Sequence, residues 1–175
     1  MASPTSKPTL KVFRTFPIGI EMPKFGTEDS ACFDLAFSSY GKARYDGFTE
    51  NSGTFSRPYG EYGFIKLMPH ERVMAPTGLI FGIPRGYSLR IHPRSSVAYK
   101  QGLVLANCEA VIDADYFHET FILLLNTSMI PIDIFPGDRV AQAELVKVAE
   151  YAIKETKEQP TQTTDRVGGI GSTGT

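Results

Sequence analysis

The side chains best suited to chemistry stand in four short, widely separated segments. AVIDADYFHE, Ala110 to Glu119, places Asp113 and Asp115 on either side of Ala114 within an apolar, strand-like run. Residues two apart in an extended chain project to one face, so one carboxylate could act as general base toward water while its neighbour is held in structural hydrogen bonds. A plain turn containing Asp and Tyr is the alternative. HPRSS, His92 to Ser96, follows the alternating run YSLRIH and puts Arg94, Ser95 and Ser96 where a strand ends. A guanidinium fork beside hydroxyls suits an oxyanion. An Arg paired with Asp34 or Asp138, next to a serine cap on a short helical turn, would explain the same residues without a ligand.

PGDRVAQ, Pro136 to Gln142, reads as a turn entering a strand, with Asp138 and Arg139 near the loop and Gln142 on the strand. A local ion pair would account for the first two. GGIGSTGT, Gly168 to Thr175, offers backbone N–H groups and the Ser172 and Thr173 hydroxyls, with Arg166 just before it. That combination can wrap phosphate oxygens, although a Gly-rich terminus need bind nothing. It is not a Walker loop, because no Gly-Lys-Ser/Thr follows.

Other chemistries are excluded by spacing. His70, His92 and His118 have no paired spacing with Cys or with one another, which argues against zinc. No Gly-x-Ser-x-Gly elbow is present, so hydrolysis here would use water directly. The 18 Lys plus Arg against 19 Asp plus Glu leave a net charge of −1, so no global field draws the chain to nucleic acid or an anionic membrane. Cys32 and Cys108 are the two cysteines and follow no secretory leader, which points to a reducing cytosol. No apolar run reaches the roughly 20 residues a spanning helix needs, so a soluble cytoplasmic protein is expected.

The elements that must position these groups read as strands. LKVFRTF, YGFIKLM, RVMAPTGLIFGI, YSLRIH, GLVLA, TFILLLN, MIPIDIF and QAELVKV recur between Gly, Pro, Asn and Asp punctuation, the pattern of an all-β barrel or sandwich. Ala141 to Lys157 conflicts with this. Ala141, Leu145, Val148, Ala149 and Ala152 fall at helical spacing, yet the start of the segment also reads as a strand. Ser38 to Tyr62 is rich in Gly, Ser, Tyr and charge without a clear period and reads as a long surface insertion, with room for a hairpin. One domain over residues 1–155 and a flexible arm over 156–175 are expected.

Taken together, these segments resemble the five motifs of the homotrimeric dUTPase family, in the family's order from Ala31 to Gly174. ACFDL (Ala31 to Leu35) resembles the first, PRSS (Pro93 to Ser96) the second, LANCEAVIDADY (Leu105 to Tyr116) the third, GDRVAQ the fourth and DRVGGIGSTG the fifth. The resemblance implies a jelly-roll-like β-barrel assembled as a homotrimer, each active site drawing on all three chains and closed by a neighbour's Gly-rich tail. It also implies that the fourth motif continues as a strand through about Val148.

The implied activity is hydrolysis of dUTP to dUMP and pyrophosphate. By resemblance, Asp113 is the base that directs water at the α-phosphorus, and Tyr116 packs beneath the deoxyribose, where its ring leaves no room for a 2′-hydroxyl. Asn107, on a hairpin with Val111, would read uracil, since an amide donates to one edge atom and accepts from the next, a pattern cytosine inverts. Arg94, Ser95, Ser96 and Gln142 would contact the phosphates. Asp34 would support the site, through water, on a Mg²⁺ carried by the triphosphate. Arg166, Gly169, Ser172 and Thr173 would complete the cradle, with Ile170 over the base.

Several positions depart from the family pattern. Cys32 and Phe33 replace Gly and Tyr, Ala110 and His118 each replace Gly, one residue is missing between Arg166 and Gly168, and Ile170 stands where an aromatic usually covers uracil. Loss of that stacking forfeits about 1–3 kcal/mol. A dCTP deaminase of the same fold, or one combining both activities, is the rival enzyme. That group has Pro-Gly after the third-motif Asp, where Ala114 and Asp115 stand, and a catalytic Glu at the position of Leu123. A non-catalytic nucleotide-binding module with the insertion as its contact surface is the third reading.

Overall fold

A computed structural model describes residues 7–165. Its strands are β1 (Lys11–Arg14), β2 (Phe33–Ala36), β3 (Arg44–Thr49), β4 (Gly53–Pro58), β5 (Ile65–Leu67), β6 (Arg72–Pro76), β7 (Leu79–Gly82), β8 (Tyr87–Pro93), β9 (Leu103–Leu105), β10 (Ala110–Ile112), β11 (Phe121–Asn126), β12 (Ile132–Ile134) and β13 (Arg139–Lys147); one helix, α1, spans Ser95–Gln101. They form a four-stranded sheet in the order β10-β8-β13-β2 and a five-stranded sheet in the order β4-β3-β6-β11-β9, with β1-β7 and β12-β5 as separate pairs. This is the expected all-β, jelly-roll-like architecture.

Alternation decides which faces are buried. Leu89 and Ile91 of β8, Phe33 and Leu35 of β2, and Ala141 and Ala143 of β13 point into one core with Val73 and Ala75 of β6 and Ile122 and Leu124 of β11. Truncating any of the large members would cost about 2–5 kcal/mol. The intervening Arg90, His92, Asp34, Gln142 and Glu144 are only partly buried and lie on the opposite face of the four-stranded sheet.

The helical reading of Ala141 to Lys157 is overturned. β13 is hydrogen-bonded to β8 on one side and β2 on the other, and ladders on both sides outweigh the modest helix propensity of Ala, Glu and Lys. Val148 N–H still donates to Gly86 O at 2.8 Å, after which residues 149–165 are exposed and carry no helix or strand.

The segment from Ser38 to Tyr62 is more than a surface insertion. β3 and β4 form an antiparallel hairpin in register from Arg44↔Pro58 to Thr49↔Gly53, and β3 adds to β6 through Gly47↔Val73 and Phe48↔Arg72. Tyr45 enters the core at 4% exposure. A Cβ on Gly47 would lie 2.5 Å from Arg72 O and 2.3 Å from the Phe55 ring, so this close approach requires glycine. Arg57 grips Glu71 with both terminal nitrogens, at 2.8 and 2.7 Å, and Glu71 also accepts from Met68 N–H at 3.0 Å. That satisfied carboxylate fastens the hairpin to the turn that leads into β6.

Candidate active site

The register of the four-stranded sheet sets Asp34 of β2 beside Gln142 of β13, and Gln142 beside His92 of β8. Asp34 then receives two guanidinium groups. Arg94 Nε lies 2.8 Å from Asp34 Oδ1 and Arg139 Nη1 lies 2.9 Å from Oδ2. Arg94 Nη1 also donates to Arg139 O at 2.9 Å, and Gln142 Nε2 donates to Pro93 O at 3.0 Å. Two cations share one carboxylate, which leaves a locally positive cluster able to meet an anion. Arg94, Asp138 and Arg139 line a cavity of about 300 Å³ with Asp133, Val97 and Gln101.

Two local expectations are corrected here. Asp138 does not pair with Arg139. Its Oδ2 accepts from Phe135 N–H at 2.8 Å, closing the turn that precedes β13, which frees Arg139 for Asp34. The residue before α1 is Arg94, and no side-chain cap is made there, so neither serine caps the helix. Ser95 and Ser96 are exposed on its first turn. Of the alternatives open for Arg94, pairing with Asp34 is realised, and it orients the guanidinium rather than consuming all its donors.

The third-motif residues occupy a second locus. Between β9 and β10 the chain turns at Ala106 to Glu109, with Cys108 N–H donating to Leu105 O at 3.2 Å and Glu109 N–H to Asn107 O at 2.7 Å. Asn107 is exposed at this tip. Val111 sits opposite Arg90 in the β10–β8 pairing. The strand ends at Ile112, and Tyr116 N–H closes on Asp113 O at 3.1 Å. The turn alternative is therefore the one that forms, and the argument that Asp113 and Asp115 share a strand face fails, because the strand stops at Ile112 and Ala114 and Asp115 lie in the turn. Both carboxylates are exposed. Tyr116 donates its hydroxyl to Glu119 O at 3.0 Å and meets the His118 ring edge-on at 5.6 Å.

Register also separates Asp113 from Arg94, while the Asn107 tip falls toward the Arg94 end of β8. Ile112 pairs with Leu89, so Asp113 follows at the Ser88 end of β8, whereas Arg94 follows Pro93 at the other end. Six residues of strand span about 20 Å. A single chain thus gathers Asp34, Arg94, Arg139 and Gln142 in one place and carries Asn107, Val111, Asp113 and Tyr116 along another edge. Arg166, Gly169, Ile170, Ser172 and Thr173 lie outside the described residues.

Sequence reasoning missed Arg139 as a partner of Asp34, and the contacts that Arg90 and His92 make with Glu109 at 3.0 and 3.6 Å. Charges alternating with Leu89 and Ile91 in YSLRIH were the available signal for the latter. Among the described residues no group of three or more His, Cys, Asp or Glu side chains could hold a metal ion, and no helix is long and apolar enough to cross a membrane. Burial, and secondarily the charge of Glu144, pushes the Cys32 thiol up from its ordinary value, the opposite of what an activated nucleophile needs.

Residues 63–174 match the dUTPase family model. The chain is 34% identical to a deoxyuridine 5′-triphosphate nucleotidohydrolase of Brucella melitensis biotype 2, over 99% of its own length and 98% of the relative's. It is 32% identical to the enzyme of the same name from Rhizobium rhizogenes, over 97% and 96%. Among solved structures, a dUTPase variant of Staphylococcus bacteriophage 80alpha with dUpNHpp superposes with a TM-score of 0.75 at 20% identity, covering 95% of this chain and 99% of that one. The phage phi11 dUTPase variant solved for its coordination of a structural Mg(II) ion superposes with a TM-score of 0.68 at 20% identity, over 87% and 99%.

Proposed function

The chain belongs to the dUTPase family, and from that membership we propose that it hydrolyses dUTP to dUMP and pyrophosphate, with Asp113 as the base that directs water at the α-phosphorus. The observation that carries the reading is Asp34 holding Arg94 and Arg139 together. A buttressed guanidinium pair is a preorganised receptor for a phosphate chain, because its geometry is fixed before the anion arrives.

The distance of about 20 Å that strand geometry sets between Asp113 and Arg94 supports a homotrimer with shared sites. In that assembly one chain's Asn107, Val111, Asp113 and Tyr116 face another's Arg94, Ser95, Ser96 and Gln142. A third chain's Arg166, Gly169, Ile170, Ser172 and Thr173 close over the phosphates and base, excluding bulk water. The barrel over residues 1–155 is then the catalytic body and residues 156–175 the reaching arm. Tyr116, tethered through its hydroxyl to Glu119 O, presents a fixed ring to the deoxyribose.

The donor set fits a Mg²⁺ that arrives on the triphosphate rather than one caged by protein. Both Asp34 oxygens already meet a guanidinium, yet each retains a lone pair able to accept from a metal-bound water. When bound, the ion neutralises phosphate charge. Two free cysteines fit a cytoplasmic setting.

The deaminase alternative is disfavoured by what stands at its catalytic positions. Leu123 cannot transfer a proton, and Asn126 is buried with its amide donating to Leu67 O and Ile130 O and its carbonyl accepting from Ser128. The test is to incubate the protein with each deoxynucleoside triphosphate and Mg²⁺ and to assay pyrophosphate and ammonia. Pyrophosphate from dUTP alone is expected; ammonia from dCTP would establish the deaminase, and inert dUTP would leave only a binding module.

A further inference from the structure

Asn107 makes no side-chain hydrogen bond among the described residues, so its amide is free to read a base. Its placement therefore depends wholly on the turn that carries it. That turn holds Cys108 at φ +62°, a left-handed conformation that L side chains seldom adopt and for which Gly or Asn would be the ordinary choice. Local sequence alone does not favour this conformer, and something must hold it.

The neighbouring Glu109 supplies the hold. Its Oε2 lies 3.0 Å from Arg90 Nη1 and its Oε1 3.6 Å from His92 Nδ1, both on β8. These partners are themselves braced, because Arg90 Nε donates to Ser88 Oγ at 3.2 Å and His92 Nε2 meets Glu144 of β13 at 3.2 Å. A carboxylate at the hinge of a strained tip is thus clamped to β8, whose His92 in turn meets β13.

We infer that Glu109 is a positioning residue for base recognition, fixing the Asn107 tip in its reading conformation through Arg90 and His92. The inference rests on the proposed reading of uracil by Asn107. An exposed ion pair contributes little to global stability, but here it shifts the population of a local conformer. Apparent affinity falls with the fraction of competent state, so the effect belongs in KM and base selectivity and leaves the phosphate-side chemistry untouched.

The experiment compares kcat and KM for dUTP and dCTP in the parent protein and in Glu109→Ala, Glu109→Gln, Arg90→Met and Asn107→Ala. Glu109→Ala is expected to raise the KM for dUTP about 5- to 10-fold, with kcat within about twofold and a parallel loss of preference over dCTP. Glu109→Gln should recover part of the loss, and Arg90→Met should act in the same direction without adding fully to Glu109→Ala. Arg90→Met also serves as the independent variant should Glu109→Ala fail to fold. Unchanged KM and selectivity in the Glu109 and Arg90 variants, beside a clear loss in Asn107→Ala, would overturn the positioning role alone. Unchanged selectivity in Asn107→Ala would instead overturn base reading by this tip, and the role of Glu109 with it.

Discussion

The ammonium of Lys42 lies 2.7 Å from Glu119 Oε2 and so joins the loop before the β3–β4 hairpin to the turn that carries Tyr116. Glu119 Oε1 also accepts from Gly78 N–H at 2.9 Å, while its backbone oxygen takes the Tyr116 hydroxyl at 3.0 Å. Glu119 keeps only 14% of its side-chain surface exposed. Lys42→Met would leave Oε2 of that largely buried carboxylate without its cation and should lower unfolding free energy by about 1–2 kcal/mol, between the values for exposed and buried pairs. Urea unfolding checks it. A change under about 0.3 kcal/mol would show that solvent already screens the pair.

Asp113→Asn should cut kcat by about 10²- to 10⁴-fold while leaving the affinity for a non-hydrolysable dUTP analogue within a few-fold. The turn is closed by the Asp113 backbone oxygen and Tyr116 N–H, so an isosteric side chain leaves its shape intact and isolates the chemistry. Single-turnover rates and equilibrium titration separate the two quantities. A variant with near-parent kcat would remove Asp113 as the base.

Asp34→Ala should act differently, because Asp34 orients rather than reacts. Removing it leaves Arg94 and Arg139 facing each other without the carboxylate between them. Both remain cationic, so nucleotide still binds, but the fork is no longer aimed. A fall of about 10-fold or more in kcat is expected, with analogue affinity changed less than that. Equal losses in affinity and kcat/KM would mean that Asp34 serves ground-state binding instead.

What could be read from sequence follows the range of the interactions involved. In YSLRIH, Leu89 and Ile91 alternate with Arg90 and His92, and β8 follows directly. In β13 Val140 and Ala141 are buried side by side, which breaks the alternation, and the helix propensity of Ala141 and Ala143 points the wrong way; only two flanking strands decide it. β3 and β4 were obscured by Gly47 and by mixed Tyr, Ser and Arg. The bond from Arg139 to Asp34 crosses 105 residues, so local patterning carried no trace of it. The distance from Asp113 to Arg94 depends on pairing register, which motif order does not encode.

Tyr59 offers a test of packing against polarity. Its hydroxyl is buried with no hydrogen-bond partner among the described residues, and its ring packs against Tyr45 at 5.3 Å and Phe37 at 6.0 Å. Burial first, then the charges of Glu119 and Asp46 and the nearby Tyr45, pushes its pKa up to about 12 from 10.0. A folded-state value above the unfolded one means that the unfolded chain gives up its proton first. The associated stability is therefore fully present below pH 10 and is lost as pH rises toward about 12. Tyr59→Phe keeps the ring, removes the unpaired hydroxyl and should be neutral or up to about 1 kcal/mol more stable near neutral pH. Because Phe does not ionise, the variant's advantage should widen as pH is raised from 10 toward 12. Paired urea midpoints at neutral and alkaline pH measure that difference directly. A variant clearly less stable than the parent at neutral pH would show that the hydroxyl has a partner in solution, and an advantage that shrinks with pH would reverse the sign assigned to its titration.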